Sequence, residues 1–279
     1  MGITLEFDTP PAISLATVAM KRGRHHAPGE PFPAIEATAR RLVPAPADYA
    51  RVCGFPGTEV LPVTYCDALA RGLQLAVLTH AAFPLRLFGI IHTEQVIEQR
   101  RAICAREALS GRAWVEGPRV ARNGGEFDLH TVISVDGEEV WHGVTTILSR
   151  ELPGDGVKRP RQQEPSWTAS RSVIWPLAAD LGRRYAAVTG DHNPIHLWPV
   201  TARLFGFKRP IAHGWWALAR SLAEMDQDVP AACRIHARFS KPMPMPGTLH
   251  FASGPLPAGG HAFALRRREL YLSGEVHGR

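Results

Sequence analysis

The sequence has no apolar run close to the roughly 18 residues that are needed to cross a lipid bilayer. Its beginning, with Glu6 and Asp8, lacks the basic-then-apolar order of a secretory signal peptide. The four cysteines, at positions 53, 66, 104 and 233, show no C-x-x-C spacing, so neither a zinc site nor a disulfide framework is indicated. We therefore expect a cytoplasmic protein that has no membrane as its partner.

The sequence also lacks a concentrated basic region, although its formal net charge is +6. Its basic pairs, such as Arg100-Arg101 and Arg183-Arg184, are spread along the chain and are not interleaved with aromatic residues. This pattern does not favour a nucleic-acid partner, but it suits a scattered basic rim for a phosphorylated ligand. With 279 residues and 45% hydrophobic content, the chain can form one large core or two cores of roughly 100–150 residues each.

The first half of the chain predicts one helix followed by strands. Residues 1–60 are rich in proline and show no clear period, whereas apolar residues recur at helical spacing from Asp67 to His80. Asp136-Gly137 is a strong signal for a short hairpin turn. Extended segments are predicted near 88–99, 112–122, 126–135 and 139–149.

The second half repeats this order of elements. A polar, proline- and glycine-rich stretch divides the chain into residues 1–150, a linker at 151–168 and residues 169–279. A helix predicted from His213 to Met225 is preceded by a strand near 171–175, a short helix near 177–187 and a loop at 191–196. Further strands are predicted near 233–240, 248–253, 261–268 and 269–276. A helix followed by about four antiparallel strands in each half indicates an α+β fold.

The most informative segment is residues 190–196, Gly-Asp-His-Asn-Pro-Ile-His. It places a carboxylate, a carboxamide and an imidazole on one loop that is stiffened by Pro194. Residues 209–215, Arg-Pro-Ile-Ala-His-Gly-Trp, then place Gly214 at the start of the predicted helix, where a backbone N–H has no acceptor within the helix. The two segments together indicate an acid/base site with a backbone donor beside it.

These residues also have simpler structural interpretations. Asn193-Pro194 alone is a common turn, and Asp191 can serve as a turn or cap residue. A calcium loop would require glycine at its sixth position and glutamate at its twelfth, where this sequence has His196 and Ala202. A turn alone needs neither the imidazole of His196 nor the second segment. His25-His26, with no partners in the sequence, is typical of an exposed loop rather than of a metal site.

Residues 185–196, Tyr-Ala-Ala-Val-Thr-Gly-Asp-His-Asn-Pro-Ile-His, with Phe207 to Gly214 behind them, resemble the hydratase signature of the MaoC-like dehydratases, which include the (R)-specific enoyl-CoA hydratases. The resemblance covers about residues 180–245, and residues 239–242, Phe-Ser-Lys-Pro, also match the family's strand after the central helix. It implies a double hot-dog fold, in which each half wraps a curved antiparallel sheet around a central helix.

Residues 83–92 are similar to the degenerate first half of the two-domain members of this family, and the first half has no Asp-x-Asn-Pro-x-His loop of its own. The resemblance thus implies one active site per chain, in residues 169–279. It implies that residues 1–150 serve as a structural partner and as a wall for the acyl chain.

The candidate catalytic residues are Asp191, His196 and Gly214. Hydration of a 2-enoyl thioester requires an activated water, a proton delivered to C2 and stabilisation of charge on the thioester oxygen. Asp191 and His196 are suited to hold one water from two directions and to return its proton, and the N–H of Gly214 is suited to the thioester oxygen. Asn193 is expected to fix the loop or a neighbouring carbonyl.

Other residues are candidates for contacts with the substrate. His213 is suited to line the pocket, although a histidine before a helix is more often a cap or packing residue. Trp215 is suited to border an acyl tunnel, although core packing is the commoner role. Lys208, Arg209 and Lys241 are candidates for the phosphates of a CoA arm, with solvated surface charge as the alternative.

The sequence therefore predicts reversible hydration of a trans-2-enoyl thioester, acyl-CoA or acyl-ACP, to an (R)-3-hydroxyacyl thioester. No metal or redox cofactor is expected. CoA counts as part of the substrate. A 3-hydroxyacyl-ACP dehydratase, a thioesterase and a non-catalytic acyl-thioester-binding protein are the alternatives. A monomer and a homodimer are equally compatible with two hot-dog halves in one chain.

Overall fold

The computed structural model describes residues 2–27, 29–157 and 166–279. The chain forms two compact units that alternate along the sequence. The first unit contains Met1–Pro44, Leu69–Gln95 and Glu107–Gln163, the last of which is described to residue 157. The second unit contains Ala45–Ala68, Val96–Arg106 and Glu164–Arg279. The predicted linker at 151–168 lies partly outside the described residues, and the predicted domain boundaries stay a prediction.

The described residues form short helices and longer strands. The helices are α1 (Leu15–Met20), α2 (Pro46–Cys53), α3 (Tyr65–Leu69), α4 (Arg71–Thr79), α5 (Leu181–Thr189), α6 (Pro199–Leu204) and α7 (Gly214–Glu224), with 3-10 turns at Pro194–His196 and Asp226–Asp228. The strands are β1 (Ile3–Phe7), β2 (Ile35–Leu42), β3 (Ile91–Gln99), β4 (Leu109–Ala121), β5 (Gly124–Val135), β6 (Glu138–Ser149), β7 (Arg171–Leu177), β8 (Cys233–Phe239), β9 (Gly247–Pro255), β10 (His261–Arg266) and β11 (Leu270–Gly278).

In the first unit the strands lie in the order β1-β2-β4-β5-β6. β1 and β2 are parallel, and the remaining neighbours are antiparallel. The predicted hairpin between β5 and β6 is confirmed, because Asp136 and Gly137 both adopt positive φ, 49° and 84°, as the tight turn of a hairpin requires. Helix α4 packs against β2 and β4 and buries Leu73 and Val77.

In the second unit the antiparallel order is β8-β11-β10-β9-β7. Pro176 lies in β7, which is an edge strand and so tolerates the missing N–H. Helix α7 buries all of residues 215–219, as expected of a helix at the centre of a core. Its Trp216 Nε1 donates to Val52 O at 3.1 Å, which ties α7 to the end of α2. An α+β architecture is therefore confirmed.

Several predicted elements differ from the observed ones. Residues 1–60 contain β1, α1, β2 and α2, none of which the sequence predicted. The helix predicted at 67–80 is divided at Ala70 into α3 and α4, and the one predicted near 177–187 begins at Leu181, because Pro176 and Leu177 belong to β7. The remaining predicted strands lie within a few residues of their predicted bounds. In the described part of the chain, no helix is both long and apolar enough to span a membrane.

Candidate active site

The loop that carries Asp191 begins at the glycine that ends α5. Gly190 adopts φ 72° and its N–H donates to Ala186 O, which ends the helix and turns the chain. Thr189 Oγ1 donates back to Tyr185 O and accepts the N–H of Asp191 at 3.3 Å. Asp191 is therefore held directly beyond the helix end.

Two side chains then stiffen the loop from within. Asp191 Oδ1 accepts the N–H of Asn193 at 3.3 Å, and Asn193 Oδ1 accepts the N–H of Ile195 at 3.4 Å. Asn193 thus caps the 3-10 turn that carries His196, as expected of a residue that fixes the loop. The side chain of Asp191 stabilises this turn and is still 28% exposed. Its carboxylate is therefore both an acceptor within the loop and accessible from outside.

Helix α5 lies unusually close to the backbone of His196. A Cβ built on Gly182 would lie 1.9 Å from His196 O and 3.2 Å from Met245 Cε. No real side chain tolerates the first of these distances, so only glycine permits this approach. Gly182 is therefore a determinant of where His196 lies, and the sequence alone did not reveal it.

The hydrogen bond of His196 fixes its tautomer. Its Nδ1 lies 2.7 Å from Ile211 O, and because a carbonyl only accepts, Nδ1 carries the proton and Nε2 is left with a lone pair when the ring is neutral. Ile211 N donates in turn to Ile195 O at 3.2 Å. These two bonds join the Asp191–His196 loop to the segment that leads into α7.

The imidazole of His196 is neutral near pH 7. Burial lowers its pKa below 6.5, while the negative charge of Asp191 and the bond to Ile211 O oppose the shift. The ring is 8% exposed, so loss of hydration has a large effect on the charged form. A neutral ring with a free Nε2 lone pair is suited to accept a proton.

His213 packs against both His196 and Asp191. Its ring stacks on His196 with centroids 3.7 Å apart and lies 4.8 Å from the ring of Tyr185. Its Nε2 is 3.1 Å from Asp191 O and 4.0 Å from Asp191 Oδ2. His213 occupies the N-cap position of α7, but its side chain makes no capping bond. Its ring packs on its neighbours, and its predicted contact with the substrate stays a prediction.

Two tyrosines pack behind His213, and neither was assigned a role from the sequence. The ring centroids of Tyr185 on α5 and Tyr49 on α2 are 6.1 Å apart, and both side chains are about 1% exposed. Tyr49 donates to Thr64 Oγ1 at 2.9 Å. Residues far apart in the sequence therefore pack behind His213, which in turn stacks on His196.

Gly214 is the first residue of α7, as predicted, so its backbone N–H has no acceptor within the helix. The segment before it is anchored by Ala212 N, which donates to Met243 O at 2.9 Å. A Cβ on Gly214 would lie 3.0 Å from two ring carbons of Phe239. The position thus leaves little space for a side chain beside the helix start.

The remaining predicted substrate contacts lie in two environments. Trp215 is buried on α7. Lys208, Arg209 and Lys241 are exposed, Arg209 donates to Pro246 O at 3.4 Å, and Lys241 forms an ion pair with Glu269. The charge of Lys241 is therefore already balanced, which makes it the weakest of the three candidates for binding a phosphate.

The ligand-type atoms of Asp191, His196 and His213 lie within 4.8 Å of one another. Two groups that each bind one water at about 2.8 Å lie roughly 4.6 Å apart when the angle at the water is tetrahedral. The ligands of a tetrahedral zinc ion lie only about 3.3 Å apart, given bonds of about 2.0 Å. A limit of 4.8 Å is compatible with one shared water, and a zinc ion would require the three ligand atoms to lie closer together than that limit.

Comparisons with known proteins identify dehydratases as relatives of this chain. A family model described as a MaoC like domain matches residues 156–253. The chain is 40% identical over 225 residues to the 3-hydroxyacyl-thioester dehydratase X of Mycobacterium tuberculosis, with 79% of each chain covered.

Solved structures agree with this match. The crystal structure of HtdX from Mycobacterium tuberculosis is 35% identical, with a TM-score of 0.75, and the match covers 88% of this chain and 100% of that one. A MaoC-like dehydratase from Phytophthora capsici has a TM-score of 0.71 at 21% identity, with 88% of this chain and 95% of that one covered. At that identity the second structure shows a shared fold alone.

Proposed function

Because the chain belongs to the family of MaoC-like dehydratases, as its 40% identity to the mycobacterial dehydratase shows, we propose that it hydrates trans-2-enoyl thioesters reversibly to (R)-3-hydroxyacyl thioesters. The chain is accordingly a hydro-lyase. The prediction of a double hot-dog fold of class α+β is confirmed by the same family of structures.

The observation that carries the proposal is the paired arrangement of Asp191 and His196. Their ligand-type atoms lie within 4.8 Å of each other, which is close enough for both groups to bind one water. The bond from His196 Nδ1 to Ile211 O leaves Nε2 as an acceptor, so carboxylate and imidazole both accept from that water. Binding alone would not call for a carboxylate and an imidazole as neighbouring proton acceptors.

The chemistry balances with these groups. In the hydration direction the water oxygen bonds to C3 of the enoyl chain while an O–H proton passes to the pair, and the π electrons of C2=C3 move toward the thioester carbonyl. The same proton then returns to C2, which restores the carbonyl and completes the addition of H and OH. No electron is gained or lost overall, so the proposed mechanism includes no redox cofactor.

Gly214 supplies the proposed oxyanion donor. Its backbone N–H lies at the N-terminus of α7, where the unpaired donors and the positive end of the helix dipole coincide. A donor aimed at the developing oxyanion is typically worth about 3 kcal/mol in the transition state. His213, stacked on His196, restricts the ring to the orientation in which Nε2 meets the water.

A product assay tests the proposal. The purified chain is given crotonyl-CoA and enoyl-CoA esters of eight to twelve carbons, and loss of enoyl absorbance, the configuration of the product and free thiol are measured together. We expect (R)-3-hydroxyacyl-CoA without thiol release. Thiol release without hydration would identify a thioesterase, and binding without turnover would identify a non-catalytic protein.

The carrier is tested in the same assay. The same enoyl chains attached to acyl carrier protein are compared with the CoA esters, and kcat/KM is the quantity compared. We expect the CoA esters to be used at least as well, and a large preference for the protein-bound chains would favour the 3-hydroxyacyl-ACP dehydratase instead.

The pKa of His196 predicts how the hydration rate depends on pH. Because burial lowers the pKa of His196, the ring takes up its proton at a lower pH than an ordinary imidazole does. A neutral ring is required to accept the water proton. Hence the decline of kcat/KM for hydration at low pH should be centred below pH 6.5, the ordinary pKa of histidine.

A structural measurement separates this decline from unfolding. Since the unfolded imidazole takes up its proton before the folded one, the free energy of unfolding also begins to fall below about pH 6.5. Circular dichroism at each pH reports whether the fold persists. A decline of kcat/KM centred at or above pH 6.5 in folded protein would contradict the assignment of a neutral, buried base.

A further inference from the structure

The first unit contains a cavity whose lining includes none of the residues of the candidate active site. It has a volume of about 1280 Å³ and is formed by three segments: residues 19–26, Leu85 with Arg86, and residues 150–153. Ligand pockets in proteins typically have volumes of about 300–1,000 Å³. The cavity is therefore large enough for a ligand of several chemical groups.

Its charge is strongly positive. The cationic side chains that line it outnumber the single carboxylate, and the charged lining residues are Lys21, Arg22, Arg24, Arg86, Arg150 and Glu151. Glu151 is committed to Arg86, whose Nε lies 2.6 Å from Glu151 Oε1. Among the described residues, no carboxylate lies within ion-pair distance of Arg22, Arg24 or Arg150.

Lys21 is fixed at the wall of the cavity. Its Nζ donates to Phe83 O at 2.6 Å and to Arg22 O at 2.9 Å, which leaves one of its three donors for a ligand. Burial and the nearby positive charge of Arg24 lower its pKa, while the negative charge of Glu151 opposes this shift. Lys21 and Arg24 are therefore close enough to repel each other, and Glu151, which also pairs with Arg86, offsets this repulsion only in part, so a bound anion would be attracted to both cations.

The walls also offer apolar surface. Leu85 and Leu152 line the cavity but are only 2% and 5% exposed, so most of the accessible apolar surface named here comes from Met20, whose side chain is 71% exposed. A single phosphate ion would fill a small part of this volume and would use none of these apolar groups. A ligand with phosphates at one end and a flat, less polar group at the other would use both.

We propose that this cavity of the first unit binds a nucleotide that carries more than one phosphate charge, through Lys21, Arg22, Arg24 and Arg150. Two sources share this chemistry, the phosphorylated adenosine end of CoA and a free nucleotide such as ATP. The residues differ from Lys208, Arg209 and Lys241 of the second unit, and the inference does not depend on the proposed hydratase reaction.

Calorimetric titration of the whole chain tests the proposal. The probes are 3′,5′-ADP, CoA, ATP, adenosine and inorganic phosphate, each at about 0.15 M salt, where attraction to scattered surface charge is screened. We expect the phosphorylated nucleotides to bind and adenosine and inorganic phosphate to bind at least about tenfold more weakly. Tighter binding of CoA and 3′,5′-ADP than of ATP identifies the coenzyme as the source, and the reverse order identifies a free nucleotide.

Matched variants show where the nucleotide binds. Arg22→Ala with Arg24→Ala removes two cations from the cavity, whereas Arg40→Ala with Arg268→Ala removes two exposed cations elsewhere and gives the same net charge. We expect the first pair to raise the Kd of 3′,5′-ADP at least about tenfold and the second to change it less than about twofold. Absence of nucleotide binding, or equal effects of both pairs, would overturn the proposal. Hydration of enoyl-CoA is measured separately, so failure here is distinct from failure of the proposed function.

Discussion

Asp191→Asn and His196→Ala should each lower the turnover of enoyl-CoA hydration by at least about a hundredfold, within the range typical of lost general acid–base catalysis. The asparagine has nearly the shape of aspartate and can still accept the N–H of Asn193 through its amide oxygen, but it cannot take a proton from water. The alanine removes the imidazole. The Nε2 lone pair, which is left as an acceptor because Nδ1 donates to Ile211 O, is lost with it. The measurement is kcat on crotonyl-CoA at pH 7.5.

The neighbouring histidine provides the control. His192 lies on the same loop but is exposed, and its backbone N–H, which donates to Gly190 O, is kept in an alanine variant. We expect His192→Ala to retain turnover within about threefold, since exposed substitutions away from such features have small effects. Turnover in Asp191→Asn that matched the parent chain would remove the carboxylate from the mechanism.

Gly182→Ala should damage both stability and turnover, although alanine is normally the better helix former by about 1 kcal/mol. The new Cβ would lie 1.9 Å from His196 O, so either α5 or the loop that carries His196 must move by more than an ångström. Displacements of this size at a catalytic group cost roughly a hundredfold in rate. We expect a lower Tm and at least about a tenfold loss of kcat.

Gly57 serves as the matched glycine for this test. It belongs to the same unit, no heavy atom lies within 4 Å of a Cβ built on it, and its φ is outside the left-handed range. Gly57→Ala should leave the Tm and kcat close to those of the parent chain. If Gly182→Ala raised the Tm as an isolated helix predicts, the close approach of α5 to His196 would be wrong.

The parts of the site that lie close together in the sequence were predictable from it. The spacing from Gly190 to His196 and the glycine at the start of α7 indicated a carboxylate, an imidazole and a backbone donor because each depends on local turn and helix-end chemistry. The Asp136-Gly137 hairpin was predictable for the same reason, since the turn requires positive φ at both positions.

The parts built from distant segments were not predictable. Tyr49 meets Tyr185 only through the fold, and Gly182 carries no local sign that His196 O will lie against it. The parallel pairing of β1 with β2 joins strands far apart in a proline-rich stretch without a clear period. The cavity beside Lys21 likewise unites three separate segments, so its excess of positive charge is hidden in a sequence whose basic residues look scattered.

The most direct test of a shared water compares Asp191→Asn and His196→Gln with the double variant. If both groups act on one water, the loss of either disables the same step, so the double variant should lose little more kcat than the worse single variant. The free-energy losses of two independent groups would instead add, and the fold-losses would multiply. A double variant whose loss equals the product of the single losses would contradict the account, as would single variants that keep parental turnover.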